Sequence, residues 1–381
     1  MDGSPLKQAR LAAGLTLREL AQQLSRLGYG ITAAGISKYE IGKSKPPPSF
    51  LHAAGRILAV KPAHLVRSPA VTVDWLNFRK HSRLSQRDQN QIKAWASTIV
   101  EKQIALQQLL FPHIRTGFPK PRPCTSHEDA EEAAETLRRK WGLADIPIES
   151  VTEALEDRGG VVVEYPRHVS RFDGLCGWAD RFPVIVVSAN VPDDRRRLSL
   201  AHELGHLVMD CSRVAPSIEE HLAFRFAAAF IVPAAVAWRE LGKKRKSLLP
   251  QELALLKRKH GLSMQGWIRR ARDLEIITQG HYETLFRRFS ALGWRTTEPV
   301  AFEGHERATR LKQLVFRALA EGIITPSRAS EIVPGIHDEM TIDAQGKVPP
   351  TELLKLPRKE RRRRLAESAR VVAKHYTHSA A

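Results

Sequence analysis

Residues 198–210 read LSLAHELGHLVMD, and at their centre His202, Glu203 and His206 stand in the order H-E-x-x-H. On a helix, positions 202 and 206 lie one turn apart, a rise of about 6 Å, and their imidazoles project to the same side. Two nitrogens there can grip one metal ion. Glu203 starts one residue on, rotated by about 100°, where its carboxylate can reach a metal-held water without displacing it. The spacing thus provides two ligands and a general base. Upstream, SANVPDDRRR offers Asp193 or Asp194 as a helix cap, and Leu198, Ala201, Leu204 and Val208 form an apolar side. Gly205 costs about 1 kcal/mol against Ala in a helix interior, which implies close backbone approach by a substrate or another element. In a chain with 15 histidines the motif alone also arises by accident on an ordinary helix, so its surroundings decide.

Two histidines and a water leave a catalytic metal one protein ligand short. Downstream, VAPSIEEHLAFRFAAAFIVP predicts a second helix over 218–231, with Glu220, Ala223 and Ala227 on one face. Two alanines beside a glutamate let this helix lie close to the first and bring Glu220 to the metal. Glu219 and His221, about 100° to either side, are the competing donors. Before the motif, GVVVEY and FPVIVVSAN are β-branched runs with the look of strands, and PVIVVS is a candidate edge for holding an extended peptide. HEDAEEAAETLRRKWGL and SVTEALEDRGG read as helices ahead of them. Tyr165, His168, Arg171 and His221 are all candidates to stabilise an oxyanion.

Taken together, VIVVSAN, AHELGH and EHLAFRFAAAFIVP resemble the ImmA/IrrE family of metallopeptidases, whose core is a strand, an A-H-E-L-G-H helix and a helix E-x-x-A-x-x-F-A ending in proline. The resemblance runs from about His127 to Pro233. It implies a zincin-like fold with His202, His206 and Glu220 as metal ligands and Glu203 as the catalytic base. Zinc is the expected ion, with manganese as the alternative. Phe224 stands where the family often has a polar residue, and Asp210 where a histidine is frequent; neither is expected to touch the ligands.

Nearer the N-terminus, LKQARLAAGLTLRELAQQL and GISKYEIGKSKPPPSFLHAAGRIL predict short helices with abrupt turns. Leu6, Ala9, Arg10 and Ala13 open the first, and Thr16 caps the next, which carries Leu17, Leu20, Ala21 and Leu24. Thr32 caps a third, with Ile36 inward and Thr32, Ala33, Ser37 and Lys38 outward, the DNA-reading positions of a helix-turn-helix. These residues resemble the Cro/lambda-repressor-like family, which implies DNA as a partner. The turn before the third helix is longer than usual. Protein binding or dimerisation is the other use of such a fold.

The remaining chain reads as helical. Residues 89–110 carry Ile92, Trp95, Ile99, Leu106 and Leu110 on one stripe, able to pack on a neighbouring domain or to pair subunits as a homodimer seam. Helices follow from about 243 to 334, including AEGIITPSRASEIV, which resembles a second helix-turn-helix, and the end carries a basic cluster at 358–364. The expected fold class is mainly α with a small α+β zincin-like domain. Its parts are a helix-turn-helix over 1–68, a helical connector over 69–124, the metallopeptidase over 125–242, a helical C-terminal domain over 243–340 and a basic tail over 341–381.

With 60 Lys and Arg against 41 Asp and Glu, the net charge of +19 favours polyanions as partners. Cys124, Cys176 and Cys211 are odd in number and widely spaced, as in reduced thiols of a cytoplasmic protein. MDGSPLKQARLAAGL has no apolar signal core, and the most apolar run, 226–238, is short and contains Pro233, so no membrane partner is expected. The functional expectation is a DNA-binding regulatory metallo-endopeptidase that cuts a transcription repressor or similar protein. The alternative is a repressor or antitoxin whose metal domain senses or scaffolds without cleaving; a non-catalytic interaction protein with an incidental histidine pair is the third.

Overall fold

The computed structural model describes residues 4–67, 70–76 and 84–336. It divides into one compact unit ending at Ala308 and another beginning at Thr309. The chain opens with α1 (Pro5–Ala12), α2 (Leu17–Arg26), α3 (Ala33–Glu40) and α4 (Pro48–Leu58). Their apolar faces meet in a core of Leu6, Leu20, Leu24, Ile36, Phe50 and Ala54. Thr16 and Glu19 cap the start of α2 reciprocally, each side chain accepting from the other's backbone N–H. Arg10 is buried: its guanidinium grips Glu40 through two bonds of 2.7 and 2.8 Å, tying α1 to the end of α3.

Next come β1 (Asp74–Trp75), α5 (Gln86–Leu110), β2 (Arg122–Pro123), α6 (His127–Lys140), α7 (Val151–Glu156), β3 (Val161–Tyr165), β4 (Gly174–Ala179) and β5 (Phe182–Ser188). Strands β1, β4, β5 and β3 form one sheet in that order, with β5 antiparallel to β4 and parallel to β3. Both faces of this sheet are covered, which is why β3 and β5 are rich in β-branched residues instead of alternating with polar ones. Val161, Val163, Val184 and Val186 face Ile92, Ala96, Val100 and Ile104 of α5. Val162, Ile185 and Val187 point to the opposite side. Of the stripe that a coiled-coil seam would need on α5, Ile92, Trp95 and Ile99 therefore pack into this core beside the sheet. At its N-terminal end α5 also packs on α1, where Arg87 donates to the Gly14 carbonyl at 2.6 Å.

The opposite face is covered by α8 (Asp193–Val208), followed by β6 (Met209–Asp210), α9 (Pro216–Ile231), α10 (Ala234–Leu241), α11 (Pro250–His260), α12 (Met264–Asp273) and α13 (Gln279–Ala291). Leu253, Trp267, Ile268, Leu285 and Phe289 from the last three share one continuous core with Leu200 and Leu204 of α8 and Phe226 of α9. The first unit ends in a segment that returns to α7 and α8: Glu306, fully buried, accepts from the Val151 and Thr152 amides and from Arg197 Nε at 2.8 Å. The second unit contains α14 (Arg310–Ala320) and α15 (Pro326–Ile332), which pack on each other. The basic cluster at 358–364 lies outside the described residues.

Among the described residues no single helix is long and apolar enough to cross a membrane. Helices α9 and α10 together have the length, but they bend by 62° at their junction and bury most of their apolar residues in the core.

Candidate metal centre

The site is assembled by two helices packed closely on each other, α8 and α9. Helix α8 begins at Asp193 with Pro192 as its cap and makes no side-chain capping bond, so neither aspartate caps it as the sequence suggested. Both are instead in the first turn, Asp193 pairing with Arg196 at 2.7 Å and Asp194 with Lys257 of α11 at 2.9 Å. Carboxylates there also suit the positive end of the helix dipole. Gly205 has a clear cause: a Cβ on it would lie 3.0 Å from the Phe226 ring, so the glycine lets α9 close on α8. Ala223 and Ala227, both fully buried, do the same from the other side.

That close fit brings the donors together. The Nε2 atoms of His202 and His206 lie 3.2 Å apart. Glu220 faces both, its oxygens 3.3 Å from His202 Nε2 and 3.6 Å from His206 Nε2. One donor atom from each residue lies within 4.8 Å of the other two. Glu219 points elsewhere, to the far nitrogen of His206 at 3.2 Å. His221 is exposed and lines a neighbouring cleft. Two imidazole nitrogens facing each other with a carboxylate between them are a poor arrangement for neutral rings alone and a suitable one for a cation, and the set matches the two-histidine, one-glutamate type of catalytic metal site. Burial pulls the His206 imidazole down, but its bond to Glu219 and the charges of Glu203 and Glu220 outweigh that, leaving its pKa above the ordinary value.

Glu203 is buried beside this cluster against β4. Gly174 makes the room, since a Cβ there would lie 2.7 Å from the Glu203 carboxylate. One carboxylate oxygen, Oε2, is buried without a hydrogen-bond partner, and so is Nδ1 of His202. Cys176, two residues along β4, is fully buried, and burial with Glu203 close by pushes its thiol well above the ordinary range. Cys124 and Cys211 are also free and buried.

Several expectations need revision. Phe224 does touch a ligand: its ring lies 4.2 Å from that of His202, because it sits one turn after Glu220 on the face of α9 turned to α8. Asp210 is exposed and accepts from the Ser212 amide. The strand PVIVVS, β5, is paired on both edges and cannot take an added peptide; the strand next to Glu203 is β4, whose glycines at 174 and 177 hid it from a propensity reading. Of the oxyanion candidates, Tyr165 is buried edge-on against Trp95 and Phe172 in the α5 core, while His168 and Arg171 are exposed. A cleft of about 1880 Å³ adjoins the centre, with Leu198, His221 and Phe224 on one wall and Arg272, Tyr282 and Arg295 on the other.

In the N-terminal unit, α2 and α3 are joined by residues 27–32. Thr32 caps α3 through the Gly35 amide at 3.1 Å; Thr32 and Lys38 are exposed, Ala33 and Ser37 half-buried and Ile36 fully buried. Ala34, exposed on the same helix, belongs with the outward set and was not among those chosen from the sequence.

Fold and site together define a zincin-like, metallopeptidase-like domain behind a helix-turn-helix. Comparison with family models agrees: residues 155–271 match the IrrE N-terminal-like domain and residues 3–67 match a helix-turn-helix domain. The chain thus joins an IrrE/ImmA-like domain, over 155–271, to an N-terminal helix-turn-helix domain, over 3–67. No curated protein matches the chain significantly.

Proposed function

We propose that the protein is a DNA-binding regulatory metallo-endopeptidase that cleaves a transcription repressor or a similar regulatory protein. The observation that carries this reading is the convergence of His202, His206 and Glu220, donor atoms within 4.8 Å, beside a buried Glu203 with one carboxylate oxygen left unpartnered. The first three would hold a divalent metal, zinc or manganese, through both Nε2 atoms and the Glu220 carboxylate. When bound, such an ion supplies Lewis acidity, polarising a scissile carbonyl and acidifying a water molecule.

The chain's own residues do the rest. Glu203 takes the proton of the attacking water and returns it to the leaving amine. Its burial against Gly174 fixes the carboxylate before substrate arrives, so no reorganisation accompanies the transfer. Glu219 holds the His206 ring in the tautomer that turns the Nε2 lone pair toward the metal position. Phe224 covers one face of His202 and limits water on that side. A base beside an open coordination position has no use in a purely structural site, which favours hydrolysis over scaffolding. In the helix-turn-helix, Thr32, Ala33, Ser37 and Lys38 are the proposed DNA-contacting residues.

The test is Glu203→Gln in the full chain, expressed in host cells beside the unaltered protein, with new protein N-termini compared between the two. The variant is expected to keep its metal and DNA binding and to lose the cleavage products. Identical products from both would show that Glu203 is not the base.

A further inference from the structure

We propose that residues 74–76 sit on the edge of β4 where an extended polypeptide substrate docks, so that substrate binding requires this resident strand to leave. The inference rests on the peptidase reading above and names how its substrate is held. Strand β5 has no free edge, and β4 is the strand that meets the base, through Gly174 and Glu203. Backbone groups of alternate residues along an antiparallel strand point to the same edge, so Trp178, Cys176 and Gly174 direct theirs away from β5 together. The first two of these positions are already taken. Asp74 lies opposite Trp178, and the Cys176 carbonyl accepts from the Leu76 amide at 3.0 Å. Running antiparallel, the resident strand thus heads toward the base, with Leu76 opposite Cys176, two residues from Gly174.

The seat is built for a close backbone. A Cβ on Gly177 would lie 2.5 Å from the Asp74 carbonyl oxygen, so only glycine admits a strand at this distance. The resident's hold is small, a two-residue strand. Its alternate side chains Val71, Val73 and Trp75 pack into the core under α5, while Asp74 is exposed. A substrate segment taking the same place would be extended and carry large apolar residues at every second position. It would be a strand-forming, unfolded stretch and not a helix.

The experiment uses the full chain carrying Glu203→Gln, so that no peptide is cut, and a fluorescein-labelled synthetic peptide with the sequence of residues 70–76, AVTVDWL. Leu76→Pro removes the amide that holds the resident strand and leaves β4 untouched. Fluorescence anisotropy is expected to show the peptide binding about fivefold or more tightly to this variant than to the parent, the value of one backbone hydrogen bond. Trp75→Ala, which removes the resident's apolar anchor, is a second route to the same gain should the proline impair folding. Equal affinity for the parent and for whichever variants melt as it does overturns the proposal. Peptide binding needs no hydrolysis, so tighter binding without any cleavage by the Glu203 chain would keep the docking edge and refute the peptidase reading.

Discussion

Glu219 and Glu220 are adjacent in sequence, yet their carboxylates meet opposite sides of one imidazole. Glu220 faces Nε2 of both histidines, whereas Glu219 reaches only Nδ1 of His206. The helical rotation of about 100° per residue separates them, so in the function proposed above Glu220 would ligate the metal and Glu219 would orient His206. We expect Glu219→Ala to weaken metal affinity by about 10- to 100-fold, measured by competition with a coloured chelator. Glu220→Ala, which removes a donor, should weaken it more; equal losses from both would remove the distinction. At this scale the H-E-x-x-H spacing and the candidacy of Glu220 were legible because each depends on one helix's periodicity. The contact of Phe224 with His202 and the orientation of Glu219 depend on how two helices meet, which no single period encodes.

Elements hold the centre in place through buried ion pairs. Glu131 of α6 receives Arg225 of α9 and Arg270 of α12; Arg225 also donates to the Asp273 carbonyl at 2.9 Å and Arg270 to that of Val232 at 3.0 Å. Helix α9, which carries Glu219 and Glu220, is thereby fixed between two neighbours. Burial raises the Glu131 pKa, but the two guanidinium groups outweigh it and hold the carboxyl below its ordinary 4.5. A carboxylate depressed in the folded state stabilises above its unfolded pKa, and this contribution is lost as pH falls through the folded value. Glu131→Gln leaves the buried Arg270 guanidinium without a counter-charge and Arg225 with only Asp273 at 3.8 Å, and should cost about 3 kcal/mol near pH 7. The gap between denaturant melts of the two proteins should begin to close as pH drops below 4.5, where the unfolded carboxyl takes up its proton, and close fully only once pH has passed the lower folded value. A gap that stays constant down to pH 3 would show that charge is not the cause. Related ties are not legible in the local sequence: in DDRRR, Arg196 and Arg197 are 1% exposed, Arg196 donating through its terminal nitrogens to carbonyls that include that of Glu306, and Arg197 to the Glu306 carboxylate. Their partner lies more than a hundred residues away, beyond any local pattern.

Across the whole molecule the net charge of +19 and the exposed Lys38 on α3 bear on DNA. Neutralising a phosphate releases counterions, so affinity falls with salt at a slope set by the number of such contacts. Lys38→Ala should weaken duplex binding and make the log K against log salt slope shallower by about 0.9, as expected for one lost phosphate contact. Titrations of a labelled duplex at several salt concentrations measure both; unchanged affinity and slope would take Lys38 out of the interface. The order of parts along the chain was legible from caps, glycines and the two motifs. What was not legible is that the helix between them serves both. Residues Arg87 and Gln91 at one end of α5 meet the turn at Gly14, while Ile92 through Ile104 form one layer over the sheet.

A 25-residue helix held at both ends acts as a rigid axle. Each residue added to or deleted from its middle would turn one end against the other by about 100° and shift it by about 1.5 Å. Length changes in this spacer are therefore tolerable only in near-whole turns, and the angle between the metallopeptidase-like domain and the helix-turn-helix is written into the number of residues between two packing surfaces.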